Sequence, residues 1–204
     1  MSGEHHLTLH FVRHGETTWN AERRMQGQLY EAPLSDRGRE QAHALAERLA
    51  GCGAEALISS DLLRALDTAR IIGSRMGLEV AEEAALRERS FGVLQGRLYD
   101  DLERELGEEL RRIWREPDIR PDEGESWRDV YLRAGEMIDR LREDPPAREM
   151  VLVTHGGTMN VALTYLAGLP LEQMEWRRFE NCALVTVQAG PDGVRVVAAA
   201  DAAS

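Results

Sequence analysis

Two histidines in this chain are each carried by an apolar run to a glycine: His14 in "LHFVRHGETTWN" and His155 in "EMVLVTHGGT". The bulky and β-branched residues before them read as buried strands. A charged Arg13 beside His14 would be costly inside a core without a partner, so the pair is expected at a strand end facing a cleft. "ALISS" brings Ser59 and Ser60 to a further strand end, and Arg64 follows one turn into the next helix. Ligands of open α/β sheets bind outside the carboxyl ends of the strands, where these segments converge.

Arg13, Arg64 and a helix N-terminus with its free N–H groups add up to a site for a dianion. Phosphate suits it better than carboxylate, because a tetrahedral group offers enough oxygens for two guanidinium forks. A histidine beside bound phosphate is then a candidate nucleophile. The surrounding positive charge favours neutral imidazole, leaving one ring nitrogen with its lone pair while the other donates to a backbone carbonyl. His14 could therefore carry a covalent phosphoryl group. The leaving alkoxide needs a proton, and the candidate donor is Glu88 in "LRERSFGVLQG", although a glutamate between two arginines is ordinarily a surface ion pair.

The elements that must position these groups alternate. Leu7 to Val12 reads as a strand, and Ser35 opens a helix with Ala42, Leu45, Ala46 and Leu49 on one face. After "ALISS", the cap-forming Ser59, Ser60 and Asp61 precede a helix with Ala65, Ala69, Ile72 and Met76 on one face and Gly77 at its end. Val130, Ala134, Met137, Ile138 and Leu141 give another amphipathic helix, "EMVLVT" another strand and "MNVALTYLAG" an apolar helix. "CALVTVQ" and "GVRVVAAA" close the chain as strands around the "AGPDG" turn. This alternation indicates an α/β fold, a three-layer sandwich whose mostly parallel central sheet is flanked by helices. Residues 97–116 are densely charged, with Leu98, Leu102, Leu106 and Leu110 in steps of four; a solvated surface helix and a substrate-covering lid over 97–126 both fit that pattern.

Length and composition set limits. A chain of 204 residues with 43% hydrophobic content can bury one sizeable core, so residues 1–204 are expected to form a single domain. A net charge of -11 and a pI near 5.1 argue against gripping nucleic acid or an anionic membrane by bulk electrostatics, and leave an anion to a local cationic pocket. Cys52 and Cys182 form no Cys-x-x-Cys spacing, so reduced thiols and a cytoplasmic location are expected, with neither a disulfide framework nor a zinc ribbon. No run is long and apolar enough to span a bilayer.

In their order, "RHGETTWN", "SSDLLRALDTA", "LRERSFGVLQG" and "VTHGG" resemble the motifs of the histidine phosphatase superfamily, which contains the cofactor-dependent phosphoglycerate mutases and many small phosphatases. The resemblance covers nearly the whole chain. It implies His14 as phosphate acceptor, Arg13, Arg64 and His155 as the cationic pocket, and Glu88 as proton donor. It further implies that Thr17, Asn20, Gln26, Gly27 and the Gly156 backbone complete phosphate binding to a small phosphomonoester, with no cofactor and no metal. Pairing into a homodimer is also carried by the resemblance alone.

Within such a family, access of water to phosphohistidine separates a phosphatase from a mutase. Family mutases usually carry a long insertion between the glutamate and the second histidine, and follow that histidine with Gly-Asn. Here the intervening region reads as two helices and a Pro-rich link, and the motif is His155, Gly156, Gly157. Both departures favour a phosphatase; a phosphoglycerate mutase dependent on 2,3-bisphosphoglycerate is the alternative, and an idle phosphoester-binding scaffold the third reading. Glu31 stands where relatives commonly have Asp, and Asn160 where many have Arg. His5, His6 and His10 read as surface or edge residues, His43 as solvent-facing, Trp19 as packing behind the turn, and Arg87 and Arg89 as surface ion pairs.

Overall fold

A computed structural model describes residues 6–190 and 193–200. Six strands form one sheet: β1 (Leu7–Arg13), β2 (Ala56–Ser59), β3 (Val80–Glu82), β4 (Glu149–Thr154), β5 (Leu184–Gly190) and β6 (Gly193–Ala200), in the order β3-β2-β4-β1-β5-β6. The first four are mutually parallel; β5 runs antiparallel to β1, and β6 antiparallel to β5. The paired register brings Arg13 opposite Thr154 and Ser59 opposite Val153, so three strands end side by side. Pro191 and Asp192 of the expected "AGPDG" turn lie outside the described residues, as does His5.

Helices cover both faces. α1 (Thr18–Ala21) is a single turn after β1, and α2 (Asp36–Leu49) is capped by Ser35, whose hydroxyl accepts from the Gly38 N–H. α2 and α3 (Leu63–Met76) pack on one face of the sheet, joining Leu45, Leu49, Ala69 and Ile72 to Val12, Val151 and Val153. Burying one such leucine contributes about 2 kcal/mol of transfer free energy. α6 (Trp127–Glu143) and α7 (Gly156–Leu166) cover the other face, where Met137, Ile138 and Met159 meet Leu9, Phe11 and Leu152. The three-layer α/β sandwich with a mostly parallel sheet is the architecture the alternation predicts.

Several local expectations are corrected. α3 is capped by Leu62 without a side-chain hydrogen bond, and not by Ser59, Ser60 or Asp61, because the Ser60 hydroxyl meets His155 Nε2, the Ser59 hydroxyl donates to the Ser60 carbonyl and Asp61 is taken by Arg87. The charged stretch is two helices, α4 (Tyr99–Leu106) and α5 (Glu108–Arg115), broken at Gly107 with φ +48 and ψ -110. The region between Glu88 and His155 therefore holds three α-helices, α4 to α6, after a 3-10 turn at Gly92–Leu94. The leucine stripe survives the break, since Leu102 and Leu110 join Phe91, Ile113 and Trp127 in a third apolar cluster.

His10 is neither on the surface nor at an edge: β1 lies inside the sheet, and the ring is 5% exposed, held by Thr186 Oγ1 and Glu149 Oε1, each at 2.9 Å. Cys52 lies near enough that the ligand atoms of His10, Cys52 and Glu149 fall within 4.8 Å of one another, but both ring nitrogens already have partners. Arg89 is fully buried instead of ion-paired on the surface. Its guanidinium donates to the carbonyls of Ile113, Ile119 and Glu125 at 2.6–2.8 Å and lies 4.8 Å over the Trp127 ring. Arg87 does pair with Asp61, and His43 is exposed. Among the described residues no helix is long and apolar enough to cross a membrane.

Candidate active site

The carboxyl ends of β1, β2 and β4 open into a cavity of about 290 Å³ lined by Arg13, His14, Arg64, Glu88, Asn20 and Gly156 among others. Strand pairing fixes their relation: the His14 N–H donates to the Thr154 carbonyl, and the Ser60 N–H to that of Val153. The chain leaves β1 through His14 directly into the cavity.

The orientation of His14 follows from one bond. Its Nδ1 lies 2.7 Å from the Gly15 carbonyl oxygen, which can only accept, so Nδ1 carries the hydrogen and Nε2 keeps its lone pair. Burial, followed by the charges of Arg64 and Arg13, holds its pKa well below the usual histidine value, and the ring is neutral. His155 stands behind it, ring centroids 5.2 Å apart, fully buried with Nε2 2.9 Å from the Ser60 hydroxyl. Burial, with Arg64 next, also holds its pKa well down. His155 thus enters the site neutral, which departs from the cationic role expected of it; the fixed charge comes from Arg13 and Arg64.

Both arginines are held by backbone carbonyls. Arg64 donates from Nη2 to Gly27 at 2.6 Å and from Nη1 to Leu29 at 3.2 Å; Arg13 donates from Nη1 to Phe179 at 2.5 Å. Burial lowers both guanidinium pKa values, that of Arg64 to about 10, so both stay charged at neutral pH. Their Nε atoms are buried and make no hydrogen bond among the described residues, nor do Gln26 Oε1 and His155 Nδ1. Unpaired buried donors cost about 1–3 kcal/mol each, and anion oxygens are their natural partners.

Glu88 reaches the cavity from the turn after the 3-10 helix Ala84–Leu86. Its Oε2 accepts the Gly157 N–H at 3.0 Å and its Oε1 the Arg89 N–H at 2.9 Å, with Thr158 Oγ1 at 3.3 Å. A carboxylate from another segment thereby caps α7, whose own N-cap residue, His155, makes no side-chain cap bond. The turn is tied down by Glu125, which accepts from the Ser90 N–H, while Gln28 and Arg133 each donate to both the Glu88 carbonyl and the Glu125 carboxylate.

The remaining expected ligands divide. Asn20, Gln26, Gly27 and Gly156 line the cavity. Thr17 does not: it is fully buried as the N-cap of α1, in a reciprocal capping box with Asn20. Arg24, Trp176, Arg177 and Arg178, to which the motifs assign no role, also line the cavity, together with Tyr99 and Trp114 from the charged helices. Only the dibasic Arg177-Arg178 pair carried a signal, an unexplained cluster of positive charge in an acidic chain.

Comparison with known proteins agrees with this geometry. The profile of the histidine phosphatase superfamily (branch 1) matches residues 9–202. A curated relative from Yersinia pestis (strain Pestoides F), named "Probable phosphoglycerate mutase GpmB", is 38% identical over 187 residues, 89% of this chain and 84% of the relative. Among solved structures, a mycobacterial glucosyl-3-phosphoglycerate phosphatase in complex with VO3 superposes with a TM-score of 0.87 at 32% identity, covering 97% of this chain and 100% of the other. The alpha-ribazole phosphatase from Shigella flexneri gives a TM-score of 0.86 at 27% identity, covering 97% and 98%.

Proposed function

Because the chain belongs to the histidine phosphatase superfamily, we propose that it hydrolyses small phosphomonoesters through a phosphohistidine on His14, using arginine cations in place of a metal ion. One observation carries the reading: His14 points into the cavity as the Nδ1–H tautomer, beside two arginines whose buried Nε atoms have no partner among the described residues.

His14 Nε2 attacks phosphorus in line; the P–N bond forms as the P–O bond to the alcohol breaks. Arg13 and Arg64 stabilise charge on the equatorial oxygens from fixed positions. The Nδ1–H bond to Gly15 steadies the positive charge that the ring gains. Glu88 gives its proton to the departing oxygen. In the second half Glu88 takes a proton from water as that water attacks phosphorus, the P–N bond breaks, and inorganic phosphate leaves with His14 restored.

Support for hydrolysis over transfer comes from the phosphatases among the structural neighbours and from Gly157, which stands where family mutases usually carry Asn. The mutase reading rests on the curated relatives' name. The experiment that separates them is a brief reaction with 32P-labelled phosphomonoester in the presence of chelator, followed by acid and base treatment. Acid-labile, base-stable label on His14, released to water as inorganic phosphate, is expected. Label on serine or aspartate sinks the role of His14, and conversion of 3- to 2-phosphoglycerate exceeding release assigns the mutase.

A further inference from the structure

The cavity holds more positive charge than a phosphate needs. Among the described residues five arginines line it, Arg13, Arg24, Arg64, Arg177 and Arg178, against the single carboxylate of Glu88, in a protein whose net charge is -11. Arg13 and Arg64 already balance a phosphomonoester dianion. The other three come from segments outside the strands, Arg24 after α1 and Arg177 and Arg178 after α7, and the basic surface continues outward, since Arg24, Arg178 and Tyr99 also line an adjoining cavity with Arg23.

Their own pairings leave them available. Arg178 faces Glu180 at 3.1 Å, but the two side chains are 87% and 53% exposed, and exposed pairs of this kind contribute little. Arg24 reaches Glu22 at 2.5 Å, again at a half-open site, and donates from Nη1 to the Gly96 carbonyl at 2.9 Å, which leaves its Nη2 without a partner among the described residues. The Arg177 guanidinium has no partner among the described residues, although its backbone is held closely: Asn160 Nδ2 donates to the Arg177 carbonyl at 2.9 Å and Asn160 Oδ1 accepts its N–H at 2.8 Å. Two residues on, the Phe179 carbonyl accepts from Arg13. The strap from Trp176 to Phe179 is thus fastened both to α7 and to the phosphate-site arginine, and it presents consecutive cations to the cavity.

Resting on the phosphatase reading above, we propose that Arg177 and Arg178, with Arg24, form a second anion subsite, so that the substrates are phosphomonoesters bearing another anionic group on the alcohol side. Asn160 is the positioning residue of that subsite. Trp114 and Trp176, ring centroids 6.3 Å apart, give the same cavity an apolar surface beside these cations. The cavity of about 290 Å³ limits the ligand to a small one.

The test compares glycerol 3-phosphate with 3-phosphoglycerate, which differ at the far carbon alone, CH2OH against COO-. Their affinities are measured by titration calorimetry on the His14→Asn protein, while wild-type turnover of p-nitrophenyl phosphate is followed separately. The carboxylate-bearing probe is expected to bind at least tenfold more tightly, with the gap closing to about threefold or less when Arg177→Gln and Arg178→Gln are added. Equal binding of the two probes, or a gap that survives the double change, overturns the subsite. A wild-type protein that fails to turn over p-nitrophenyl phosphate overturns the phosphatase reading instead, and leaves the binding comparison to decide the subsite by itself.

Discussion

Glu88 and Gly157 meet with no room between them: the Gly157 N–H donates to Oε2, and a Cβ built on Gly157 would lie 2.5 Å from Oε1 and 2.5 Å from the Trp127 ring. Trp127 is 1% exposed and cannot yield, so the carboxylate would have to. Gly157→Ala is therefore expected to lower kcat/KM for glycerol 3-phosphate at least tenfold, with a smaller loss for p-nitrophenyl phosphate, whose leaving group needs less help from an acid. Equal losses on both substrates would detach Glu88 from proton donation.

The depressed pKa values of His14 and His155 predict how stability depends on pH. In the unfolded chain both histidines take up protons as pH falls through about 6.5, whereas the folded chain resists until well below that. The unfolded state then binds more protons, so stability is complete above about pH 6.5 and falls by up to about 1.4 kcal/mol per pH unit for each histidine as pH drops below it. Urea unfolding between pH 7 and 5 should show the slope, and His155→Asn should remove its share. An unchanged slope would mean that His155 is charged in the folded protein.

Arg89 predicts a structural loss. Replacing it with Met leaves the carbonyls of Ile113, Ile119 and Glu125 without their donor, at a cost of about 3 kcal/mol, read as a lower urea midpoint. A midpoint within experimental error of wild type would place those carbonyls in contact with water.

For Asn160→Asp the expected change is selective. The carboxylate still accepts the Arg177 N–H but cannot donate to the carbonyls of Arg177 and Gly156, so the strap loosens. KM for 3-phosphoglycerate should rise several-fold more than KM for glycerol 3-phosphate, with kcat shifting less. A uniform loss on both would reduce Asn160 to a purely structural part.

The two thiols should separate under a thiol reagent. Burial pushes the Cys182 pKa up to about 12, and Cys182 is fully buried, whereas Cys52 is partly exposed. In the native protein Cys52 should label first, with Cys182 reacting only on unfolding; simultaneous labelling would contradict the packing around β5.

The groups legible in the sequence were those tied to strand ends. The apolar run before His14 and the one before His155 have no outlet except the carboxyl edge of the sheet, so both histidines were placed by periodicity alone. Arg64 was within reach because helical spacing puts it one turn inside α3. Arg89 was illegible, since burial of a guanidinium depends on three carbonyls that come together only in the tertiary structure. Thr17 was misread for the opposite reason: its local capping bond with Asn20 outweighs any reach toward the cavity. Arg24 and Arg177 were hidden because they come from connections with no periodicity to read, whereas Tyr99 and Trp114 lie on α4 and α5, whose leucine stripe does not show that the aromatic rings turn to the cavity.

The position of β4 between β1 and β2 has a consequence for how the chain is made. As the polypeptide emerges during synthesis, β1 and β2 are complete long before residues 149–154 exist, and neither can pair with the other in the native order. Their inner edges must wait, through nearly a hundred residues of further elongation, for the strand that joins them. The nascent chain is therefore expected to depend on chaperones that shield strand edges. Because His14 and Ser60 each donate a backbone hydrogen bond to β4, no phosphate chemistry can begin until that last parallel strand has docked.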